Sequence, residues 1–469
     1  MFGHENPLLS SSSGKEGLKR KKPKTSIVKS NSQFISRVIP HDSIQRRLQD
    51  HKPEGLYVFA NIERGYQWLD LSSPEQSRAQ PLMKIIFAKA NILCHDINHF
   101  TKSIGHLDVI MGANTGDIVW FEAYSQKYVR INKGNIISSS PITDIRWLPG
   151  SENLFLASHV DGTLIVYDKE RDDAAFIPET VNGTVTPDLG VDGLLGEASA
   201  SQNPLLINKS LNSKNQKCNP VASWQISHHR ITSLAFAPSH LPYLAVVSED
   251  GSLRIINYMR EVLTDLYPSY YGGFTCVCWS PDGKYVLTGG QDDLVTLWSL
   301  HERKILARCQ GHRSWVTGVA FDPWRSCDGR NYRFGSVGED RRLLLWDFNI
   351  GMLRRPKVKG AATGRSIDHR GSVTSDMAGR ISQATHRLRS NSNLTVDGIE
   401  LDGEEGCLEH EVESRTVTAE LPAVMSKVVD EHRMSWLGFE EDCIITACAE
   451  GHVRLWKRPL EVHNPPRPG

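Results

Sequence analysis

One recurring spacing constrains the fold of this chain more than any other feature. Six segments carry an acidic or small residue at a turn and a large apolar residue six positions later. The pairs are Thr115 and Phe121, Asp161 and Tyr167, Asp250 and Ile256, Asp292 and Trp298, Asp340 and Trp346, and Glu450 and Trp456. A fixed spacing that returns every few tens of residues is typical of a fold that repeats one structural unit.

Each unit opens on a strand pattern. The segments PITDIRW, RITSLAF, FTCVCW and WVTGVAF alternate apolar and small residues with a period of two. A second strand and a turn follow, and the turn sequences VDGT, EDGS, QDDL and EDRR favour tight hairpins. Because one such sheet cannot bury both of its faces alone, sheets of this kind pack around a common axis. The sequence therefore predicts an all-β chain folded as a β-propeller.

The number of units predicts seven blades. Six clear units span 91–130, 136–170, 225–262, 268–303, 311–350 and 424–460. Residues 55–88 predict one more, with a turn at Glu63 to Gly65. The β-prone stretch 33–39 lacks a neighbouring strand in the sequence, so we expect it to pair with the C-terminal blade and close the ring. These assignments place the closing strand and first blades at 33–170, the central blades at 223–353 and the last blade at 423–460.

One unit resembles a WD repeat closely. In the segment 311–348, the residues Gly311, His312, Ser336, Asp340 and Trp346 stand at the hydrogen-bonding positions of that repeat. The resemblance implies a structural role for His312. A catalytic histidine would need a nucleophile or a metal partner, which the sequence does not indicate. We assign the same structural class to the corresponding residues of other units, namely Asp161, Asp250, Asp292, Trp298 and Trp456.

Two long insertions interrupt the repeats. Residues 171–222 are rich in Gly, Asn, Ser, Pro and Asp and predict an extended or disordered loop. Residues 354–422 are basic and Ser-rich at first and then acidic. Arginines precede Ser372, Ser382 and Ser390, a pattern that resembles sites of basophilic kinases. The alternative is an unmodified, solvated loop.

The two chain ends differ in composition from the repeats. Residues 1–32 form a Ser-rich, basic arm that we expect to be disordered, and its LKRKKPK run is either a nuclear import signal or a solvated arm. Residues 461–469 form a Pro-rich tail. The N-terminus lacks the apolar core of a signal peptide, and no apolar run reaches the length of a membrane span. We expect an intracellular protein, cytoplasmic, nuclear or both.

Charge and motif content argue against several classes of function. Lys plus Arg and Asp plus Glu both total 54, so no overall field favours direct binding of nucleic acid or a membrane. The nine cysteines form no CxxC pair, and phosphate-loop, HExxH and GxSxG motifs are absent from the sequence. We therefore predict a protein that is not an enzyme, with no catalytic residue, cofactor or metal site.

Exposed aromatic residues suggest a protein-binding face. In a propeller, the loops that enter the innermost strands and the acidic turns lie on the same face. Tyr270, Tyr271 and Trp315 lie in two such loops of adjacent units, and large rings of this kind anchor protein interfaces. The alternative is that these rings pack between blade edges. We predict that the polar rim of the interface consists of Asp293, Arg313, Arg341 and Arg342.

Longer stretches resemble one family of WD-repeat proteins. HKPEGLYVFANIERGYQWLDLSS, AKANILCHDINHF and YYGGFTCVCWSPDGKYVLTGGQDDLVTLWS are similar to the fungal CreC catabolite-repression family, which is related to animal WD-repeat activators of ubiquitin-specific proteases. The resemblance implies a non-catalytic scaffold that binds, stabilises and activates a ubiquitin-specific protease of the CreB type. It also implies a role in carbon catabolite repression and transcription regulation, and leaves open a second WD-repeat protein as partner.

Two other functions stay open on the sequence alone. A substrate receptor of a ubiquitin ligase would also be a WD-repeat propeller. Such receptors often carry Trp-Asp-x-Arg, whereas here Phe348 and Asn349 follow Trp346 and Asp347. A propeller enzyme would gather charged residues or metal ligands at the central channel, and the sequence indicates no such set.

Overall fold

A computed structural model describes most of the repeat region. The described residues are Leu9, 23–28, 33–42, Ile44, 55–74, Arg78, 80–176, 205–208, 218–238, 240–326, 329–353, 407–414 and 417–459. The sites predicted at Ser372, Ser382 and Ser390, the LKRKKPK run up to residue 22, and the tail at 461–469 lie outside them. Within the described residues, no helix is both long and apolar enough to span a membrane.

The described elements are strands and two short 3₁₀ turns. The first strands are β1 (Thr25–Ser26), β2 (Ile35–Pro40), β3 (Tyr57–Ile62), β4 (Gly65–Asp70), β5 (Met83–Phe87), β6 (Ile92–Ile97), β7 (Asp108–Ala113), β8 (Ile118–Glu122), β9 (Lys127–Ile131), β10 (Ile142–Trp147), β11 (Leu154–His159) and β12 (Thr163–Asp168). The next are β13 (Asp172–Asp173), β14 (Leu206–Asn208), β15 (Cys218–Asn219), β16 (Ala222–Gln225), β17 (Ile231–Phe236), β18 (Tyr243–Ser248), β19 (Ser252–Asn257), β20 (Val262–Pro268), β21 (Phe274–Trp279), β22 (Tyr285–Gly290), β23 (Leu294–Ser299) and β24 (Lys304–Gln310). The last are β25 (Val316–Phe321), β26 (Tyr332–Gly338), β27 (Arg342–Phe348), β28 (Leu408–Glu409), β29 (Ala419–Pro422), β30 (Met425–Val428), β31 (Met434–Phe439), β32 (Cys443–Cys448) and β33 (Val453–Lys457). The 3₁₀ turns span Pro323–Arg325 and Ile350–Met352.

These strands form the seven blades of a β-propeller, as the six spaced units and the strand pattern of residues 55–88 together predict. From blade 1 to blade 7 the sheets are β3-β4-β5-β2, β6-β7-β8-β9-β1, β10-β11-β12-β16-β14, β17-β18-β19-β20-β28, β21-β22-β23-β24-β29, β25-β26-β27-β30 and β31-β32-β33. In blades 2 to 7 the first strand of each sheet lies innermost. The face that carries the turns between the second and third strands is called the upper face here, and the opposite face the lower face.

The position expected for the stretch 33–39 is wrong. Strand β2 pairs antiparallel with β5, with Ile35 opposite Phe87 and Pro40 opposite Met83. It is therefore the outer strand of blade 1 and does not complete the C-terminal blade. Packing explains the choice of edge, because Phe34 and Ile35 enter the apolar core that Phe87 and Met83 already occupy.

Both insertions contribute strands to outer blade edges where they are described. Strand β14 from the first insertion pairs with β16, and β13 pairs with β15 in a separate two-stranded sheet. From the second insertion, β28 pairs parallel with β20 of blade 4 and β29 pairs parallel with β24 of blade 5. The low periodicity of these segments did not predict the pairing. The end of the second insertion therefore wraps the outside of blades 4 and 5.

Among the described residues, two blades have fewer strands than the others at the point where the ring closes. The N–H of Leu71 donates to the carbonyl of Leu56 at 2.9 Å, just as Lys169 donates to Asn153 at 3.0 Å between the third and second strands of blade 3. Strand β3 is thus a second strand, and the described residues place no strand on its inner side. Over the same described ranges, β33 is the outermost strand of blade 7. Apolar side chains cover the seam between these blades, namely Leu56, Val58, Leu71, Cys443, Ile445, Val453 and Leu455.

Candidate partner-binding face

A network of four side chains fixes the upper end of blade 6. The Nδ1 atom of His312 lies 3.1 Å from both carboxylate oxygens of Asp340, and its Nε2 atom lies 2.8 Å from Ser336 Oγ. The indole N–H of Trp346 donates to the same hydroxyl at 3.0 Å. All four side chains are buried or nearly so. The histidine is thereby engaged on both nitrogens, which matches a structural role.

Trp315 lies in the loop that this network holds. The carbonyl of Trp315 accepts the N–H of Glu339 at 2.9 Å, and the N–H of Arg313 donates to Asp340 at 3.0 Å. Trp315 as a whole residue is 44% exposed. The backbone around Trp315 is therefore fixed from two sides while its ring faces solvent.

The loop of blade 5 that carries Tyr270 and Tyr271 is held differently. It lacks the Gly-His pair that blade 6 carries at Gly311 and His312. In the structure, Gln291 replaces that pair, because its Oε1 accepts the N–H of Gly273 at 3.0 Å and its own N–H donates to the carbonyl of Gly273 at 2.9 Å. Ser269 Oγ also donates to the carbonyl of Gly272 at 2.6 Å. Tyr271, at the tip, is 74% exposed.

Tyr270 is braced by a residue that sequence analysis missed. The guanidinium of Arg308 lies 4.7 Å from the centre of the Tyr270 ring. Arg308 is buried, and it donates to Thr418 Oγ1 at 3.1 Å and to the carbonyl of Glu413 at 2.6 Å. The described end of the second insertion therefore holds Arg308 in place, and Arg308 in turn contacts the ring of Tyr270. Glu413 and Thr418 are more than a hundred positions away, so no local pattern could have indicated this contact.

Two rim residues stand where other blades have glycine. Asp293 and Arg341 have φ values of 61° and 64°, in the left-handed region. The equivalent turn positions of blades 3 and 4 are Gly162 and Gly251, with φ of 81° and 77°. A side chain in this conformation costs roughly 1–2 kcal/mol relative to ordinary backbone. Other turns among the described residues also adopt this conformation without glycine, for example at Glu63, Gln126 and Glu261.

The fourth predicted rim residue is tied to the next strand. Arg342 donates from Nη1 to Ser426 Oγ at 3.0 Å, and its N–H donates to Asp340 at 3.2 Å. Arg342 follows Arg341 directly, at the start of β27. The structure thus brings the predicted aromatic and rim residues to the upper ends of the adjacent blades 5 and 6.

The remaining predicted repeat residues act within their own blades. Asp161 accepts the N–H of Thr163 at 3.0 Å. The indole nitrogens of Trp298 and Trp456 donate to Thr288 at 2.9 Å and to Thr446 at 3.0 Å. These indole–threonine pairs correspond to the bond between Trp346 and Ser336 in blade 6.

Blades 4 and 5 differ in how their turn carboxylates are paired. Asp250 accepts hydrogen bonds from Ser227 at 2.8 Å, Ser248 at 2.6 Å and Arg254 at 2.8 Å. Burial opposes ionisation of Asp250, but these bonds hold its pKa well below the usual range. Asp292 accepts a hydrogen bond from the backbone N–H of Leu294 at 3.2 Å, and burial raises the pKa of Asp292 to about 6.

The structural position in blade 4 is held by Ser227, not by the neighbouring histidines. His228 and His229 precede the first strand of blade 4, at the place of the Gly-His pair in blade 6. Both are exposed, and Ser227 makes the contact to Asp250 instead. The hydroxyl is short enough to reach the turn directly, so the two imidazoles remain at the surface.

One group of potential metal ligands occurs among the described residues. Side-chain atoms of Asp430, Cys448 and His452 lie within 4.8 Å of one another at the upper end of blade 7. Arg454 Nε also lies 2.7 Å from Asp430 Oδ2. Because the guanidinium neutralises that carboxylate, the arrangement is explained as an ion pair within the blade.

Comparisons with known proteins agree with this architecture. The family model described as "WD domain, G-beta repeat" matches residues 263–299 and 303–347, which fall in blades 4 to 6. The chain is 38% identical over 429 residues to a protein of Schizosaccharomyces pombe named "UBP9-binding protein bun62". That match covers 91% of this chain and 75% of the relative. A crystal structure of the computationally designed protein Ika8 aligns over 93% of this chain and all of its own, with a TM-score of 0.45 and 12% identity, a likeness too weak to define the fold.

Proposed function

Because the chain belongs to the family of WD-repeat proteins that includes bun62, we propose that it is a non-catalytic scaffold that binds a ubiquitin-specific protease. The relative is named for its binding of UBP9, and it matches this chain along nearly its whole length. The binding surface in this proposal is the upper face of blades 5 and 6, with Tyr270, Tyr271 and Trp315 as anchors.

The observation that carries this proposal is the fixed presentation of exposed rings. Hydrogen bonds from Gln291 and from the His312 network hold the two loops, while Tyr271 and Trp315 face solvent. A loop that is already ordered loses little conformational entropy on binding, so more of the contact energy contributes to affinity. Aromatic residues and arginine are also the types that most often dominate protein interfaces.

A rigid face can both stabilise and activate a protease. Binding to the folded protease alone stabilises it by mass action, by about 2.7 kcal/mol when the scaffold is present at a hundred times its Kd. Tighter binding to the active arrangement shifts the population toward that arrangement. By the family resemblance, we propose a protease of the CreB type as partner and a role in carbon catabolite repression and transcription regulation.

The proposal is tested with purified proteins. The full chain and a CreB-type protease would be titrated by calorimetry, and hydrolysis of a fluorogenic ubiquitin substrate would be followed with and without the chain. We expect binding together with a rise in the turnover number. The double variant Tyr271→Ala with Trp315→Ala should weaken binding at least 100-fold, since each anchor typically contributes about 2 kcal/mol or more.

A matched control removes an exposed ring from the lower face. Trp324 lies in the 3₁₀ turn between β25 and β26, opposite the acidic turns, and is 46% exposed. Trp324→Ala should leave protease binding unchanged. Equal loss in both variants, or capture of a ubiquitin-ligase scaffold in place of a protease, would contradict the proposal.

A further inference from the structure

The end of the second insertion joins the outer edges of two neighbouring blades. Strand β28 pairs parallel with β20 of blade 4, and β29 pairs parallel with β24 of blade 5. The N–H of His410, just after β28, donates to the carbonyl of Leu266 at 2.9 Å. The described residues 407–414 and 417–422 are together called the latch segment here.

On blade 4, a ring stack anchors the latch segment. The imidazole of His410 lies parallel to the ring of Tyr267, with 4.0 Å between the ring centres and 3° between the planes. His410 Nε2 also lies 3.0 Å from Oδ1 of Asp265, whose side chain is almost fully buried. The start of the latch segment is therefore fixed by both a stacking contact and a polar contact.

On blade 5, the latch segment supplies hydrogen-bond acceptors to a buried cation. Arg308 is only 3% exposed, and it donates to Thr418 Oγ1 and to the carbonyl of Glu413. Thr418 Oγ1 donates in turn to the carbonyl of Ser414 at 3.0 Å. A buried guanidinium needs acceptors, because a buried charge without them is strongly destabilising. The latch segment therefore determines where the guanidinium of Arg308 lies.

The same guanidinium contacts the partner-binding face. It lies 4.7 Å from the centre of the Tyr270 ring, a distance at which a cation is attracted to an aromatic ring. Tyr270 is 40% exposed, so its ring meets both Arg308 and solvent. Arg308 thus connects the latch segment at the outer edge of blade 5 with a predicted anchor of the upper face.

A second acceptor for Arg308 lies nearby. Thr296 is directly opposite Arg308 in the ladder of β23 and β24, and Asp292 lies in the turn that leads into β23. Burial raises the pKa of Asp292, and the positive charge of Arg308 opposes that rise, so the two groups interact electrostatically. A carboxylate binds a guanidinium more strongly than a neutral acceptor does. Without Thr418 and Glu413, Arg308 would therefore turn toward Asp292.

The latch segment buries less surface than the blades that it joins. Among its described residues, the buried apolar side chains are Ala419 and Leu421, whereas Glu409, Val412 and Val417 are exposed. Its strands are short, with two residues in β28 and four in β29. Edge segments with few buried apolar contacts open locally at a lower free energy than global unfolding requires. The latch segment can therefore leave the blades while the propeller stays folded.

We propose that the latch segment sets the affinity of the upper face for its partner through the position of Arg308. In the docked state, the segment holds Arg308 against Tyr270 and keeps that ring in the orientation that the partner meets. In the released state, Arg308 turns toward Asp292 and the ring of Tyr270 loses this contact. The inference rests on the proposed binding of a protease by the upper face, and it adds regulation of that binding from the outer edge of the ring.

The test uses two variants of the full chain and calorimetry with the protease. Leu421→Ala removes apolar packing of the latch segment and leaves the side chains of Thr418 and Arg308 in place. Thr418→Val removes an acceptor of Arg308 at nearly constant volume. Each variant should weaken protease binding about two- to fivefold, the effect expected for loss of one cation–π contact. Thr418→Ser keeps the hydroxyl and should bind as tightly as the unchanged chain.

A double-mutant cycle tests whether Tyr270 transmits the effect. In a Tyr270→Ala background, neither Leu421→Ala nor Thr418→Val should weaken protease binding further. Glu420→Ala is the matched control on the latch segment, because Glu420 accepts a hydrogen bond from the exposed Gln310 at 3.1 Å. The control should bind the protease with unchanged affinity.

Hydrogen exchange followed by mass spectrometry measures docking without the protease. Leu421→Ala should speed exchange of the fragment 407–422 by about tenfold or more and that of the loop 267–273 by about threefold. Thermal unfolding should remain cooperative, which shows that the blades are intact. If Leu421→Ala fails to fold, Thr418→Val carries the test, with faster exchange at 267–273 as the expected result.

Three outcomes would overturn the inference. The first is full protease affinity in Leu421→Ala although the fragment 407–422 exchanges faster. The second is an equal loss of affinity with and without the Tyr270 ring. The third is a loss in Glu420→Ala as large as in Thr418→Val.

Failure of the proposed function has a different signature. In that case the double variant Tyr271→Ala with Trp315→Ala binds the protease at full strength. Loss of binding in that double variant together with full affinity in Leu421→Ala overturns the role of the latch segment alone.

Discussion

Arg458 and Asp322 form a two-point ion pair that joins the last strand of blade 7 to blade 6. Arg458 Nη1 lies 2.6 Å from Oδ2 of the aspartate, and Nη2 lies 2.9 Å from Oδ1. Asp322 is completely buried, so its charge depends on this partner. The pair therefore controls how firmly the short seventh blade is attached to its neighbour.

Loss of the arginine should destabilise the fold strongly. Arg458→Gln leaves a buried carboxylate without its cation, and the free energy of unfolding should fall by about 3 kcal/mol. Urea denaturation followed by tryptophan fluorescence measures the change. Lys304→Gln, which breaks the exposed pair with Glu302, is the control and should change stability by less than about 0.5 kcal/mol.

Loss of His312 should affect both stability and binding. His312→Ala leaves Ser336 and Asp340 without a partner that engages both, and we expect a loss of about 2–3 kcal/mol in unfolding free energy. The loop of Trp315 also loosens, so protease affinity should fall under conditions where the variant is still folded. The exposed His228→Ala should be neutral in both assays, and a His312 variant that binds at full strength would refute the link.

Replacing Arg341 with glycine should change stability and binding in opposite directions. Arg341→Gly relieves a left-handed conformation and should raise the melting temperature, with a gain of up to about 1 kcal/mol. The same change removes a predicted rim contact and should weaken protease binding. Arg342→Gly, at the adjacent position without positive φ, should lower stability by about 0.5–1 kcal/mol. Equal stability effects at both positions would contradict the assignment of strain to Arg341.

Asp292 should make the stability of the fold dependent on pH. Burial raises its pKa from the ordinary 3.8 to about 6 in the folded protein, so the folded state holds the proton more tightly than the unfolded state. The stabilising contribution of the protonated Asp292 carboxyl to the free energy of unfolding is fully present below about pH 4. It is lost as the pH rises to about 6. Asp292→Asn should therefore stabilise the protein by about 1–2 kcal/mol at pH 7.5 and by almost nothing at pH 4. Thermal unfolding across this range measures the difference, and a gain that is constant with pH would exclude this cause.

The sequence predicted most of what depends on local pattern. The distance from Asp340 to Trp346 reflects one turn and one strand, so repetition of that distance predicted six blades, and the strand pattern of residues 55–88 predicted the seventh. The stretch 33–39 was placed at the wrong edge because period-two alternation identifies a strand but not its partner. That choice depends on the core around Phe87, which the tertiary fold alone assembles.

At the candidate site too, the sequence predicted local positions but not the tertiary contacts of the residues. Positions relative to the repeat predicted that Tyr271 and Trp315 lie on the upper face, since both precede an innermost strand. The brace of Arg308 against Tyr270 depends on Glu413 and Thr418, which reach it only after the second insertion has wrapped blade 5. The role of Gln291 was not predicted, because a glutamine at a turn does not indicate from sequence alone which backbone group its side chain will bind.

The seam between blades 1 and 7 gives the molecule a preferred direction of opening. Each blade is held by ladders of backbone bonds, while Val58 and Leu71 meet Cys443 and Ile445 through apolar contact. A force that draws blades 1 and 7 apart loads the apolar contacts of the seam, whereas the described backbone ladders lie within each blade. We therefore expect the ring to open at the seam before any blade unfolds. Apolar contact also weakens on cooling. Among the described residues this seam rests on apolar contact, so we expect it to be the first junction to separate when the protein is cooled or its ends are pulled apart.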